Sequence, residues 1–357
     1  MIKIQEHLNR VDADPYLDSL AEELWNELNP KVKNGKKYKV ASLIEKCKKY
    51  ATQTATSAYR IEYANNDIAT ATRHKSFFDF LIASNAAALK SVIVSRPNHF
   101  AALKTNISLR INQADLYTGT PGNYSQTAFG KLLSEKIFDY TSFRSSDFCK
   151  RLFAKIGFDN ATCPYCNNRK LDIVTIRSNS SAATILRAYY DIDHFYPKSL
   201  NPFFAVSFFN LIPACHDCNS AEKRSLPFSI ETHIHPYHEA FEDCYEFEVP
   251  NKCLIGDPVD AILIKSKNNK PLDRTVDDLH LDDRYQNNIG EANKLLTFFL
   301  NNWKRNIGTE NEPVFIDAIF NLKNVPKEKT NILNSLQGKM NRDILKQVDV
   351  NNVLDII

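Results

Sequence analysis

The chain has 357 residues, 43% of them apolar and 24% charged, a balance that suits a packed globular protein and excludes a disordered or fibrous one. No stretch of eighteen or more residues is both apolar and free of charge, and residues 1–6 lack the apolar segment of a secretory signal. No membrane span and a cytoplasmic setting are therefore expected. Nine glycines, with neither GxGxxG nor a Walker A pattern, argue against a glycine-loop nucleotide-binding enzyme.

Residues 1–150 read as a helical N-terminal domain with a basic segment. Apolar side chains recur three or four apart over 18–28, 40–50, 77–91 and 127–138. Loop signals separate them at Asn29-Pro30, Arg96-Pro97 and the Gly-Thr-Pro-Gly of 119–122. The apolar run 77–94 is broken by Asp79 and Lys90 and reads as a buried helix. Net charge is +3, yet residues 1–150 carry 21 basic against 15 acidic side chains, whereas 226–357 carry 15 against 21. The sharpest cluster spans 31–50, eight lysines opposed only by Glu45. It is either a solvated face or a surface that attracts phosphate backbones.

Beyond residue 150 the pattern changes. Residues 171–176 and 185–192 read as two strands around a Ser/Asn turn at 178–181, and a second β-rich patch covers 245–249, 254–255 and 261–265. Helical periodicity returns over 282–307 and 327–348. The expected fold is α+β, with a helical domain at 1–150, a cysteine-framed domain at 151–228 and a mixed β-then-helical region at 229–357.

Four of the eight cysteines stand as Cys163-Pro-Tyr-Cys166 and Cys215-His-Asp-Cys218, with 48 residues between the pairs. A Cys-x2-Cys turn aims two thiolates at one point, and two such turns complete a tetrahedral site, so a structural Zn2+ is expected. A redox dithiol would need only one pair. Cys47, Cys149, Cys244 and Cys253 have no such spacing and read as buried free thiols. His233, His235 and His238 are a weaker candidate for a second metal site.

Inside the frame run Tyr190-Asp-Ile-Asp193-His194-Phe-Tyr-Pro-Lys198 and Phe209-Asn210-Leu-Ile-Pro-Ala-Cys215-His-Asp-Cys218-Asn219-Ser-Ala-Glu-Lys223-Arg224. The order Asp-His, Asn-Leu-Ile, then Cys-x2-Cys-Asn with a nearby Lys resembles the HNH endonucleases, the ββα-metal finger. The likeness is specific from Cys163 to Lys223, a sixth of the chain. A fainter one, through His235-Pro-Tyr237 and Leu281-Asp-Asp-Arg284-Tyr285, is to HNH proteins paired with an ATPase in Septu-type phage defence.

The resemblance implies a metal-dependent nuclease acting on nucleic acid, DNA in the first instance and RNA as an open alternative. His194, with an unperturbed pKa near 6.5, suits a general base. By resemblance, Asp193 and Asn219 hold the catalytic cation and Asn210 braces the loop that aims His194. A carboxylate with a carboxamide oxygen favours Mg2+ or Mn2+. Lys198, Lys223, Arg224, Arg169 and Lys170 are the candidate phosphate contacts. Glu222 departs from the basic run usual after the Asn. Two other classes stay open: a zinc-stapled nucleic-acid-binding module without catalysis, and a subunit gated by an ATPase or sensor partner. A double-strand break needs two sites or two turnovers, and a homodimer would supply the two sites.

Overall fold

A computed structural model describes residues 1–33, 35, 37–120, 123–177 and 184–356. The turn expected at 178–181, Lys36 and the Pro-Gly of the 119–122 loop lie wholly or partly outside these.

Helices dominate the first half. α1 (Ala13–Leu28) buries Leu17, Leu20, Ala21, Leu24 and Trp25 on one stripe. α2 (Leu43–Gln53) is capped by Ser42, whose hydroxyl accepts from the Glu45 amide. α3 (Ile68–Val94) is capped by Asp67, which accepts from the Ala69 and Thr70 amides. α3 is the one helix among the described residues with the length and composition to cross a membrane. In the fold its Ala71, Phe77, Phe78, Leu81, Leu89 and Val92 pack into the core. It is also bent, with Ser84, Asn85 and Ala86 in the left-handed region. α4 (Phe100–Ser108) follows. The helix expected at 127–138 is present as Ala128–Lys131 and a wider-wound continuation, Leu132–Ile137. α5 (Tyr140–Ser145) then leads into the cysteine frame.

Strands pair antiparallel in four small sheets among the described residues. β1 (Tyr117–Thr120) and β2 (Asn123–Gln126) form a hairpin. β3 (Asn160–Thr162), β4 (Lys170–Arg177) and β5 (Thr184–Ala188) form a three-stranded sheet. β6 (Asp191–His194) pairs with β7 (Leu211–Ala214), and the short, wide-wound helix α6 (Asp217–Lys223) follows directly. β8 (Tyr245–Glu248) pairs with β9 (Leu263–Ser266).

The single strand expected at 185–192 is therefore two. The chain breaks at Tyr189-Tyr190, where the Tyr189 amide donates to the Asp172 carbonyl and the Tyr190 carbonyl accepts from Arg144. Leu254-Ile255 lies in a 3-10 turn, Asn251–Ile255, that Pro250 introduces. The helix expected at 282–307 is split into α7 (Leu281–Gln286) and α8 (Ile289–Asn306). The one expected at 327–348 is a 3-10 turn, Lys329–Asn334, then α9 (Gly338–Val348), with Gln337 at φ 52 between them. One cluster of buried apolar residues runs from Met1 to Ile344, through all three expected segments. A smaller one joins Leu295, Phe299, Phe315, Ile319 and Leu345 near the C-terminus.

Candidate active site

β6, its loop, β7 and α6 bring separate stretches of sequence to one place. Asp193 faces Ile212 and His194 faces Leu211 in the β6–β7 register. Neighbours on a strand point to opposite faces, but β6 ends at His194. There Asp193 and His194 both line a cavity of about 270 Å³ together with Asn219, Lys198, Arg224 and Tyr140.

The loop between the strands is held by Asn210, which is fully buried. Its Oδ1 accepts from the Tyr196 amide at 2.7 Å, and its Nδ2 donates to the Tyr196 and Phe204 carbonyls, each at 3.1 Å. The next carbonyl, that of Ala205, accepts from His194 Nε2 at 2.9 Å. With Nε2 so used, Nδ1 is the nitrogen left to accept a proton, and the Tyr140 ring packs against the imidazole at 4.4 Å. Burial, with the Lys198 and Lys223 charges nearby, pushes the imidazole down to about 3, so it is neutral at physiological pH but a weaker base than the unperturbed ring the sequence suggests.

Asp193 is 2% exposed and clamped. Its Oδ1 accepts from Lys223 Nζ at 2.9 Å and its Oδ2 from the Tyr165 hydroxyl at 2.7 Å. Burial and the neighbouring Asp193 hold the Tyr165 hydroxyl well above its usual range, so it stays a donor. Lys223 Nζ also donates to the His194 carbonyl at 2.6 Å. This corrects one sequence expectation: Lys223 is wholly buried and is no phosphate contact. Sequence could not show this, because the partner that makes burial of an ammonium tolerable lies thirty residues upstream. Lys223→Met should cost about 3–5 kcal/mol in urea unfolding, because it leaves Asp193 buried and unpaired. Loss below about 1 kcal/mol would show that the pair carries no such weight.

Asn219, at the first turn of α6, donates from Nδ2 to Asp191 Oδ2 at 3.0 Å. Its side-chain carbonyl oxygen has no protein partner among the described residues. Asp191 also accepts from His216 Nδ1 (3.1 Å) and the Ser220 hydroxyl (3.2 Å), so it is a second carboxylate at the site that the sequence reading missed. Only the strand period that puts 191 and 193 on one face could have suggested it.

The four framed cysteines are all buried, with their sulfurs within 4.8 Å of one another. Four soft thiol ligands at one point are the donor set of structural zinc, and the cluster can hold that ion. Backbone amides already point inward: Cys215 N to Cys163 Sγ and Cys218 N to Cys215 Sγ, each at 3.4 Å. Arg284 donates to Cys218 Sγ at 3.3 Å and the Tyr285 hydroxyl to the Cys166 carbonyl at 2.6 Å. The Leu281–Tyr285 segment thus packs on the cysteine cluster and braces it.

The histidine group forms no second metal site: the cysteines are the metal-capable cluster among the described residues. His233 binds Asp278 and stacks on Phe228, and His235 is buried against Phe195. Cys47, Cys149, Cys244 and Cys253 are buried free thiols, and burial pushes the first three up to about 12.

Of the remaining basic candidates, Lys198 and Arg224 line the cavity, with Lys198 Nζ 4.6 Å from the Tyr140 ring centre. Arg169 and Lys170 are exposed in a neighbouring cleft with Arg144, Tyr189, Asp191 and His216. Arg169 pairs with Asp217 at 2.9 Å, and Lys170 with the Asn160 side chain at 3.2 Å. α5 links the two clefts: Tyr140 donates to the Ile192 carbonyl, and Arg144, one turn on, to that of Tyr190. Glu222 faces His280 at 3.8 Å. In the basic segment Lys31, Lys33, Lys37, Lys39, Lys48 and Lys49 are exposed.

No family model matches the chain, and no solved structure matches it. A curated relative is Protein ea31 of Escherichia phage lambda, 47% identical over 49 residues. The match covers 13% of this chain and 17% of that protein.

Proposed function

We propose that the chain is a metal-dependent endonuclease of the HNH type that hydrolyses DNA phosphodiester bonds. The observation that carries this reading is the convergence of Asp193, His194 and Asn219 on one cavity, from a strand end and a helix start that the cysteine cluster ties together. Asp193 and Asn219 suit an oxygen-liganded cation: each Asp193 oxygen keeps a lone pair beyond its present bond, and the Asn219 carbonyl oxygen is unengaged. A Mg2+ or Mn2+ ion held there would neutralise the scissile phosphate and stabilise the leaving oxygen. His194 accepts the attacking water's proton at Nδ1, fixed by its Nε2 bond to Ala205. Asn210 acts through that loop as a positioning residue. Lys198 and Arg224 hold the phosphate from the cavity wall.

A second reading is favoured by one observation. Both Asp193 oxygens are engaged, and Asn219 is drawn towards Asp191. A subunit whose cleft opens for metal only when a partner docks would have this arrangement when alone.

Supercoiled plasmid and labelled single strands of DNA and RNA, incubated with Mg2+ or Mn2+ or with neither, test both readings. Nicking or linearisation that needs the added cation is expected. A folded, zinc-loaded protein that cuts none of the three substrates contradicts the free-standing nuclease and leaves the gated subunit.

A further inference from the structure

A second cavity, of about 330 Å³, adjoins the catalytic one and shares Pro197 with it. Its floor is aromatic and closed: Tyr196 and Phe228 are 3% and 2% exposed. One wall is the β1–β2 hairpin, from which the half-buried Tyr117 and Tyr124 project with ring centres 5.3 Å apart. The hairpin needs Gly119, at φ +103, because a Cβ there would lie 2.2 Å from the Asn123 carbonyl oxygen. From the end of β2, Gln126 donates to the Lys198 carbonyl at 2.8 Å, which fixes the wall against the catalytic loop. At the rim, Lys104 lies with its ammonium 5.3 Å from the centre of the Tyr196 ring. That ammonium makes no close hydrogen bond or ion pair among the described residues, and the Glu231 carboxylate is the opposite charge nearest to act on it.

Aromatic faces, a cation at the edge and a polar rim are the means by which proteins hold a planar base beside its phosphate. A base inside a duplex cannot present its face to a recessed pocket, so the occupant must be unstacked. A cavity of this volume lies within the range of small-molecule sites. We propose that it binds the unpaired base of a nucleotide flanking the scissile phosphate, so that strands with an unstacked base are the preferred substrate. The inference rests on the nuclease reading for the identity of the neighbouring phosphate.

The test uses two DNA duplexes, one fully paired and one carrying a single bulged 2-aminopurine. Binding is followed by 2-aminopurine fluorescence and by competition, with the His194→Ala protein; cleavage is followed with the wild type. The bulged duplex should bind about tenfold more tightly, with a fluorescence change that Tyr124→Ala and Lys104→Ala each reduce, while both variants keep the wild-type melting temperature. Equal affinity for the two duplexes, or a preference untouched by Tyr124→Ala, overturns the proposal and leaves the cavity to an aromatic side chain of a protein partner. Wild-type cleavage of both duplexes at equal rates also overturns it, but spares the nuclease reading. Selective binding without any cleavage contradicts the free-standing nuclease, leaves the gated subunit and retains the base site.

Discussion

His194→Ala should lower the cleavage rate by about 10²- to 10⁴-fold, the usual contribution of a positioned general base. The variant should still fold and retain zinc, at a stability cost of about 1–3 kcal/mol, because the Ala205 carbonyl loses its donor inside a buried loop. His194→Gln separates the two effects. Its amide can supply a donor towards Ala205, so stability should return, yet it has no nitrogen that accepts a proton, so activity should not. Parallel single-turnover cleavage and urea unfolding of the two variants make the comparison. If His194→Gln recovers activity along with stability, the histidine is structural and the base lies elsewhere.

The second large effect concerns the cysteine cluster. Structural zinc contributes an apparent 10–16 kcal/mol in small metal-stapled units, comparable to the whole stability of an ordinary domain. Cys163 and Cys166 precede β4, Cys215 follows β7 and Cys218 lies in the first turn of α6, so a zinc ion held there would join both sides of the candidate site. The protein should carry about one zinc per chain, and Cys218→Ser should lose it. The variant should also lose the cooperative unfolding of the β6–β7–α6 unit and all cleavage. Elemental analysis with circular dichroism melting reads these outcomes. A Cys218→Ser protein that melts and cuts like the wild type without zinc would show that the cluster is not a staple.

The cysteine cluster was legible because its chemistry is carried by spacing, whereas Asp193, Asn210 and Asn219 stood out through the HNH resemblance. Two Cys-x2-Cys turns announce a four-sulfur cluster wherever the chain folds, and the structure brings their sulfurs together. The Asn-Leu-Ile segment lies where a loop brace must, and Asn210 ties three backbone groups. Local periodicity likewise found α1, α2, the 77–91 part of α3, and β4, the helices each with a buried stripe.

What escaped depends on partners distant in sequence. Lys223 looks like a surface lysine until Asp193 and the His194 carbonyl are placed around it. The Leu281–Tyr285 segment was marked by the fainter resemblance, but its support of the cysteines, 66 and 119 residues from the groups that Arg284 and Tyr285 bind, was not. The break at Tyr189-Tyr190 is set by Arg144 and Asp172, although the residues themselves are good strand formers. Asp191 carries no local signal beyond its place two residues before Asp193. Its Oδ2 accepts from His216, Asn219 and Ser220 at the boundary with the neighbouring cleft.

The position of the proposed cation is the most direct test of the site. Crystals of the zinc-loaded protein soaked in Mn2+ and measured at the manganese edge should show one anomalous peak within coordination distance of Asp193 and the Asn219 carbonyl oxygen, absent in Asp193→Asn. A peak on Asp191 and His216 alone, or no peak in the cleft while Mn2+-dependent cleavage persists in solution, would contradict the assignment of Asp193 and Asn219 as the catalytic metal pair.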